Sequence, residues 1–415
     1  MKMTFLQAAS AVAVSMMALG VPASANTLYF QMNPNFDTGG QRQVFIFGAP
    51  NVTGNVIGRN GFSEAFDLGA QGFAVVTLAV AAELSSGTVQ NLGFKIVSDS
   101  AVSGYFLSRR TASTDMTYLI DGGSLGTDHF VLGYQNLSAD QISVQATVDN
   151  TLVTFRPANG TPFDVTLNAG QTYMFTANSN LTGSRVLSTQ PVAVFSGNRC
   201  TNIPTGVSAC DHIVEQMPSL EVLSSSYLLA QTPRTGSLGN VFRAVATADA
   251  TEIRVNGTVV ATLDTGQYYE GRVVGGIEVS ANNKILVGQY LIGQGQAAAN
   301  SDPAMTIVPG QDQWLNSYVF AAPSGSANFP TDFVSIIIGT ADLGTLLLDG
   351  AAVDGGLFSQ LGTSAFSFGN IDVSSTTGPF SISAANPFQL LLSGFDSFDS
   401  YFTYGGAAFS PGASP

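Results

Sequence analysis

The chain has 415 residues, 45% of them hydrophobic and only 10% charged, with a formal net charge of −14. So few cations exclude nucleic-acid binding, which needs clustered Lys and Arg, and exclude adhesion to anionic lipid by charge. Forty-five Gly and 28 Phe against one Trp, in a background of Ser, Thr and Val, are the composition of an extracellular β protein with ample core material.

The N-terminus reads as a signal peptide over residues 1–25. Lys2 supplies the positive start, an apolar stretch follows to Val21, and Ala23-Ser24-Ala25 is a small-residue cleavage site. Leu28-Tyr29-Phe30-Gln31 is similar to part of a protease-tag scar, a coincidence behind an intact signal. No later segment is apolar enough to span a membrane, so no span is expected after signal cleavage.

From there the chain divides into four β modules, at 43–115, 116–215, 216–305 and 306–406, with a Gly/Ser/Pro tail at 407–415. The first, the most divergent, opens near Gln43-Val44-Phe45-Ile46-Phe47 and contains a strand from Phe73 to Leu78. The second carries strands at Phe130–Tyr134 and Thr151–Phe155 and a turn at Asn159-Gly160. In the third, Thr251–Val255 alternates polar and apolar, Asn256-Gly257 marks a two-residue hairpin, and Thr258–Leu263 returns. The fourth repeats this with Phe333–Ile338, Leu346–Leu348 and a hairpin at Asp349-Gly350. Short helical turns are expected near 218–225 and 311–316.

One phrase recurs in all four modules: a Ser-led polar turn before an apolar strand. It begins at Ser98, Ser188, Ser280 and Ser383, roughly 90 to 100 residues apart, the size of one small β domain. About seven strands per module predict an all-β fold, a tandem array of about four β-sandwich-like modules. A four-bladed propeller fits poorly, because its blades have four strands and half this length.

After three of the phrases comes an Asp and then an apolar stretch, at Asp115, Asp211 and Asp302. The recurrence predicts one shared job, an Asx-type turn or backbone cap. Calcium ligation is the lesser reading, since no DxDxDG run is present. Cys200 and Cys210 flank a Pro- and Gly-containing loop, and in an exported chain such a pair predicts a disulfide contributing about 2–3 kcal/mol. Two thiols with His212 make an incomplete metal set.

Enzyme signals are weak. Gly122-Gly123-Ser124-Leu125-Gly126 matches the nucleophile-elbow pattern, but it lies between modules with no helix to follow, so a turn is expected at Ser124. His129 and His212 each sit beside an Asp at a junction, where a structural hydrogen bond is expected. Asp396 and Asp399 are the nearest thing to paired carboxylates, and are read as a solvated loop pair on opposite strand faces. No catalytic, cofactor-binding or metal-ligating residue is assigned. Asn51, Asn136, Asn180 and Asn256 lie in N-x-S/T sequons.

Gly197-Asn198-Arg199-Cys200 and Cys210-Asp211-His212-Ile213-Val214-Glu215-Gln216-Met217-Pro218 resemble the hallmark of the IgGFc-binding protein N-terminal domain family, as a bacterial exported member. Asp302–Pro309, Tyr318-Val319-Phe320 and the segment Gly394–Tyr401 agree with it, and the resemblance runs from about Gln43 to Gly406. It implies a secreted or surface-displayed β-rich module with a disulfide matching Cys200 and Cys210. The chain departs from the family's usual ending at Tyr401-Phe402-Thr403-Tyr404-Gly405-Gly406, and no immunoglobulin-binding residues can be carried over. The expected role is therefore non-enzymatic: adhesion, matrix contact or surface binding of an extracellular protein or glycan, outside the cell. The alternatives are an extracellular hydrolase using loop-borne residues such as Ser124, or a subunit of a surface layer or filament.

Overall fold

A computed structural model describes residues 25–409, apart from 37–39, 60, 79–82 and 377. The expected signal peptide and the end of the tail lie outside the described residues. Among the described residues the chain is all β: antiparallel sheets joined by loops and short 3-10 turns. No helix there is long and apolar enough to cross a membrane.

The strands form four units on one plan. In the second unit they are, in order, Asp128–Phe130, Asp140–Ala146, Thr151–Arg156, Phe163–Leu167, Thr172–Ala177, Arg185–Ser188, Val192–Thr201 and Asp211–Gln216. The first, sixth, third and fourth pair into one sheet, and the fifth, second, seventh and eighth into the other. The first and third units repeat this order. In the fourth, the sixth and seventh strands are fused into the long strand Phe380–Asp396, which pairs with Leu315–Phe320 along its first half and with Thr331–Gly339 along its second.

This places the recurring Ser-led phrase. It marks the corner where the chain leaves one sheet of a sandwich and enters the other: Phe94–Ser98 gives way to Val102–Arg110, Arg185–Ser188 to Val192–Thr201, and Gly276–Ala281 to Ile285–Tyr290. The first unit starts earlier than expected, at strand Thr27–Phe30. Leu28 and Phe30 are buried in its core, so the tag-like stretch is part of the fold. Boundaries at 115, 215 and 305 would cut the eighth strands. Each of these is hydrogen-bonded to the seventh strand before it, so the sheets carry each boundary past the strand's end.

Asn256 and Gly257 both adopt positive φ, as do Asp349 and Gly350, the geometry that a two-residue hairpin on twisted strands requires. The helical turns expected near 218–225 and 311–316 are the 3-10 turns Leu220–Val222 and Gln311–Gln313.

The units do not sit as beads on a line. Their eighth strands, Ser113–Tyr118, Asp211–Gln216, Met305–Ile307 and Asp399–Tyr404, meet at the centre, each touching the next, with the last touching the first. Phe45, Phe47, Tyr105 and Leu107 of the first unit share one core with Tyr318, Phe320, Ile336 and Phe388 of the fourth. The hydroxyl of Tyr105 donates to the Gly405 carbonyl at 2.9 Å. The chain is thus a closed ring of four sandwiches. Close approach of the paired seventh and eighth strands of the second unit explains Gly197: a β-carbon there would lie 1.9 Å from the Ile213 carbonyl oxygen.

Candidate functional site: the ring centre and its loop end

The four eighth strands bring polar groups to the ring axis in layers. Asp115 is fully buried and its carboxylate accepts four backbone N–H groups, one from each unit: Met116 at 2.9 Å, Val214 at 3.0 Å, Met305 at 3.0 Å and Phe402 at 3.2 Å. These four donors occupy equivalent places, each three residues after Ser113, Asp211, Asp302 and Asp399. The equivalent of Asp211 and Asp302 in the first unit is therefore Ser113, and Asp399 is the fourth member. Asp115 sits two residues further along and does a different job. An Asp before an apolar stretch recurs along the chain, but only the meeting of strands shows which residues share a layer.

The expected turns are also replaced. Asp115 and Asp211 lie within strands, and Asp302 lies shortly before one. Backbone capping is what Asp115 and Asp211 do. Asp211 accepts the N–H of Thr114 at 2.8 Å and of His212 at 2.6 Å. Ser400 accepts the N–H of Asp302 through its hydroxyl at 2.9 Å.

One layer beyond Asp115, Glu215 accepts the Thr117 hydroxyl at 2.6 Å. Burial raises the pKa of Glu215 and Asp211 well above the usual carboxylate range, of Asp302 to about 8 and of Asp399 to about 7; Asp399 and Asp302 add repulsion at Asp211, Asp399 adds it at Asp302, and at Asp399 Arg109 pulls the other way while Asp396 repels. For Asp115 burial also raises the pKa, against the pull of its four N–H donors.

The remaining candidates separate. Ser124 lies in the 3-10 turn Gly122–Ser124, whose start Asp121 caps through Gly123 N–H. His129 is buried in a strand and makes no hydrogen bond to a side chain or backbone group among the described residues; burial pulls its pKa down to about 4. His212 places Nδ1 3.0 Å from the Asn198 carbonyl, with a pKa lowered to about 3 by burial and then by Arg42. No hydrogen bond joins Ser124 to either ring.

Asp396 and Asp399 face each other across the hairpin Ser397-Phe398, correcting the opposite-face reading. Their strands are paired there, and paired residues share a face. Asp399 is buried and Asp396 half-buried, with Arg109 3.6 and 3.8 Å from them. Among the described residues no three His, Cys, Asp or Glu side chains are placed so that they could hold a metal ion.

Cys200 and Cys210 are bonded, with Cα atoms 5.2 Å apart. They close the loop 201–209, which joins the seventh and eighth strands of the second unit. It packs on the matching loop of the third unit: Gly293 N–H donates to the Ile203 carbonyl at 2.7 Å and Gly295 N–H to that of Ser208 at 2.5 Å. Because the eighth strands start in one layer, the loops leading into them gather at one end of the ring. Exposed there are Phe398, Thr205, Gly206, Gln296 and Asn300, with no Lys or Glu among them. Phe36, 51% exposed, joins them beside Asn35, which donates to the Ser113 carbonyl at 3.0 Å.

A residue that sequence reasoning missed is Arg243. It is almost fully buried between the second and third units, 3.8 Å over the Tyr134 ring and 4.7 Å from that of Tyr268, and pairs with Glu270 at 2.8 Å. Its only sequence signal is a cation inside an otherwise apolar strand, Asn240–Ala246.

The family model for IgGFc binding protein matches residues 115–394. The human IgGFc-binding protein is 26% identical over 321 residues, which is 72% of this chain and 6% of that protein's length. A solved structure of a calcium-stabilised adhesin that helps an Antarctic bacterium bind ice aligns over 93% of this chain and 99% of its own, at 12% identity. Its TM-score of 0.14 does not amount to a shared fold. With two thirds of its length matched by the family model, the chain belongs to the IgGFc-binding protein family.

Proposed function

We propose that the chain is a secreted or cell-surface scaffold that binds an extracellular protein or glycan through the loop end of its ring and catalyses no reaction. The observation that carries this reading is the contrast between centre and end. The titratable groups that chemistry would need are sealed at the axis, with Asp115, Asp211, His212, Glu215 and Asp302 all at 0% exposure. The loops above them are exposed, uncharged in their tips, and braced by the disulfide. Loops on a rigid scaffold are where binding residues concentrate. Exposed aromatics among small and amide side chains suit a protein surface or a sugar face.

A glycan and protein array probed with residues 25–409 tests this, with immunoglobulin Fc, the ligand in the family's name, among the probes. The expected result is binding to one class of ligand, weakened about tenfold or more by Phe36→Ala with Phe398→Ala. Turnover of an ester, glycoside or peptide that Ser124→Ala abolishes would reject the reading in favour of a hydrolase.

A further inference from the structure

We propose that Asp211, Asp302 and Asp399 form a proton-held latch that joins the second, third and fourth units beneath the loop end. Protonated, the three buried carboxyls leave the layer uncharged and closed. Ionised, they repel and release the loops.

The three side chains come from three units and are 0%, 0% and 3% exposed. Oδ2 of Asp211, both oxygens of Asp302 and Oδ1 of Asp399 make no well-formed hydrogen bond to the surrounding protein, although the Ser113 and Thr114 side chains and the Gln294 N–H lie near enough to favour the ionised forms in part. A buried carboxylate without donors is costly, whereas a carboxylic acid brings its own donor. Each Asp directly follows a loop of the exposed end, at Cys210, Ser301 and Phe398.

The charged groups facing this layer do not neutralise it. Arg109 reaches Asp399 at 3.6 Å but is shared with Asp396. Arg42 and Arg110 both pair with Glu83, and Arg199 donates to the Asn35 carbonyl at 2.9 Å. His212 is held neutral, and Asp115 and Glu215 add negative charge from the next layers when ionised.

The sign follows from the raised pKa values. Folded carboxyls that hold their protons more tightly than unfolded ones contribute stability that is complete at acid pH. That stability is lost as pH rises through the folded values, near 7 for Asp399 and near 8 for Asp302. The two buried histidines titrate on unfolding near 6.5, so they oppose this trend only below that pH.

Hydrogen exchange, corrected for the intrinsic pH dependence of the chemistry, gives the test. Protection of peptides covering 211–216 and 399–404 should fall about tenfold or more between pH 6.5 and pH 8.5. Asp302→Asn should flatten the profile, and Glu64→Gln, exposed on a strand of the first unit, should leave it in place. If Asp302→Asn does not fold, the wild-type profile decides. Equal protection at the two pH values, or a fall spread evenly over all peptides, would overturn the latch. Exchange is read without any ligand, so the latch can fail while the loop end still binds. Control of binding by pH is a second step that rests on the loop end being the binding face.

Discussion

Asp115→Ala is expected to cost about 3–5 kcal/mol, enough to leave much of the chain unfolded at 37 °C. The carboxylate touches the backbone of all four units, through Met116, Val214, Met305 and Phe402. Alanine leaves four buried N–H groups without acceptors. Each orphaned group costs about 1–3 kcal/mol, and relaxation recovers part of the sum. Asp115→Asn keeps one acceptor oxygen but turns an NH₂ toward two of the donors, so it should be nearly as damaging. A surface change such as Glu64→Ala, at an exposed strand position, should be close to neutral. Urea unfolding of the three variants checks the order. An Asp115→Ala variant within about 1 kcal/mol of wild type would mean that the ring is held elsewhere.

Arg243→Ala is expected to cost about 3–4 kcal/mol and to act on the seam between the second and third units. The guanidinium lies over Tyr134 of the second unit and near Tyr268 and Tyr290 of the third. It donates to the Gly133 carbonyl at 2.5 Å and the Thr182 hydroxyl at 2.9 Å, and pairs with Glu270. Truncation loses the cation–π stack and the ion pair with the half-exposed Glu270, and leaves the Gly133 carbonyl and Glu270 to weaker hydroxyl donors such as Thr182 and Tyr134. Arg243→Lys should recover little, because an ammonium cannot make the flat, forked contact. Arg243→Met should recover more than Lys if packing dominates. Calorimetry that shows the ring still melting as one unit, with the midpoint within about 1 °C of wild type, would contradict the assignment.

Local chemistry was readable because it is written in adjacent residues. Asn256-Gly257 and Asp349-Gly350 specify their hairpins through positive φ, and Phe73–Leu78 and Thr258–Leu263 declare themselves as strands. Cys200 and Cys210 were near neighbours, and they are bonded. The Ser-led phrase was visible as a repeat, and its meaning, a corner between two sheets, needed the pairing.

What was not readable is non-local. Asp115 looks like Asp211 and Asp302 when each is judged by the residues after it. The two-residue offset exists only because Ser113 shares their layer and the Asp115 carboxylate reaches the axis. By its neighbours in the chain Asp399 reads as a solvated partner of Asp396, yet it is buried and belongs with Asp211 and Asp302. Ring closure was equally hidden. Phe45 and Tyr105 pack with Tyr318 and Phe388, more than 200 residues away in the chain, and no local pattern encodes that meeting.

Small-angle X-ray scattering of residues 25–409 tests the ring most directly. Four sandwiches closed around Asp115 should give a radius of gyration of about 21 Å, the value for one compact body of this length. A radius near 40 Å or more, with the long tail of distances that a row of separate sandwiches produces, would show that the first and fourth units do not meet.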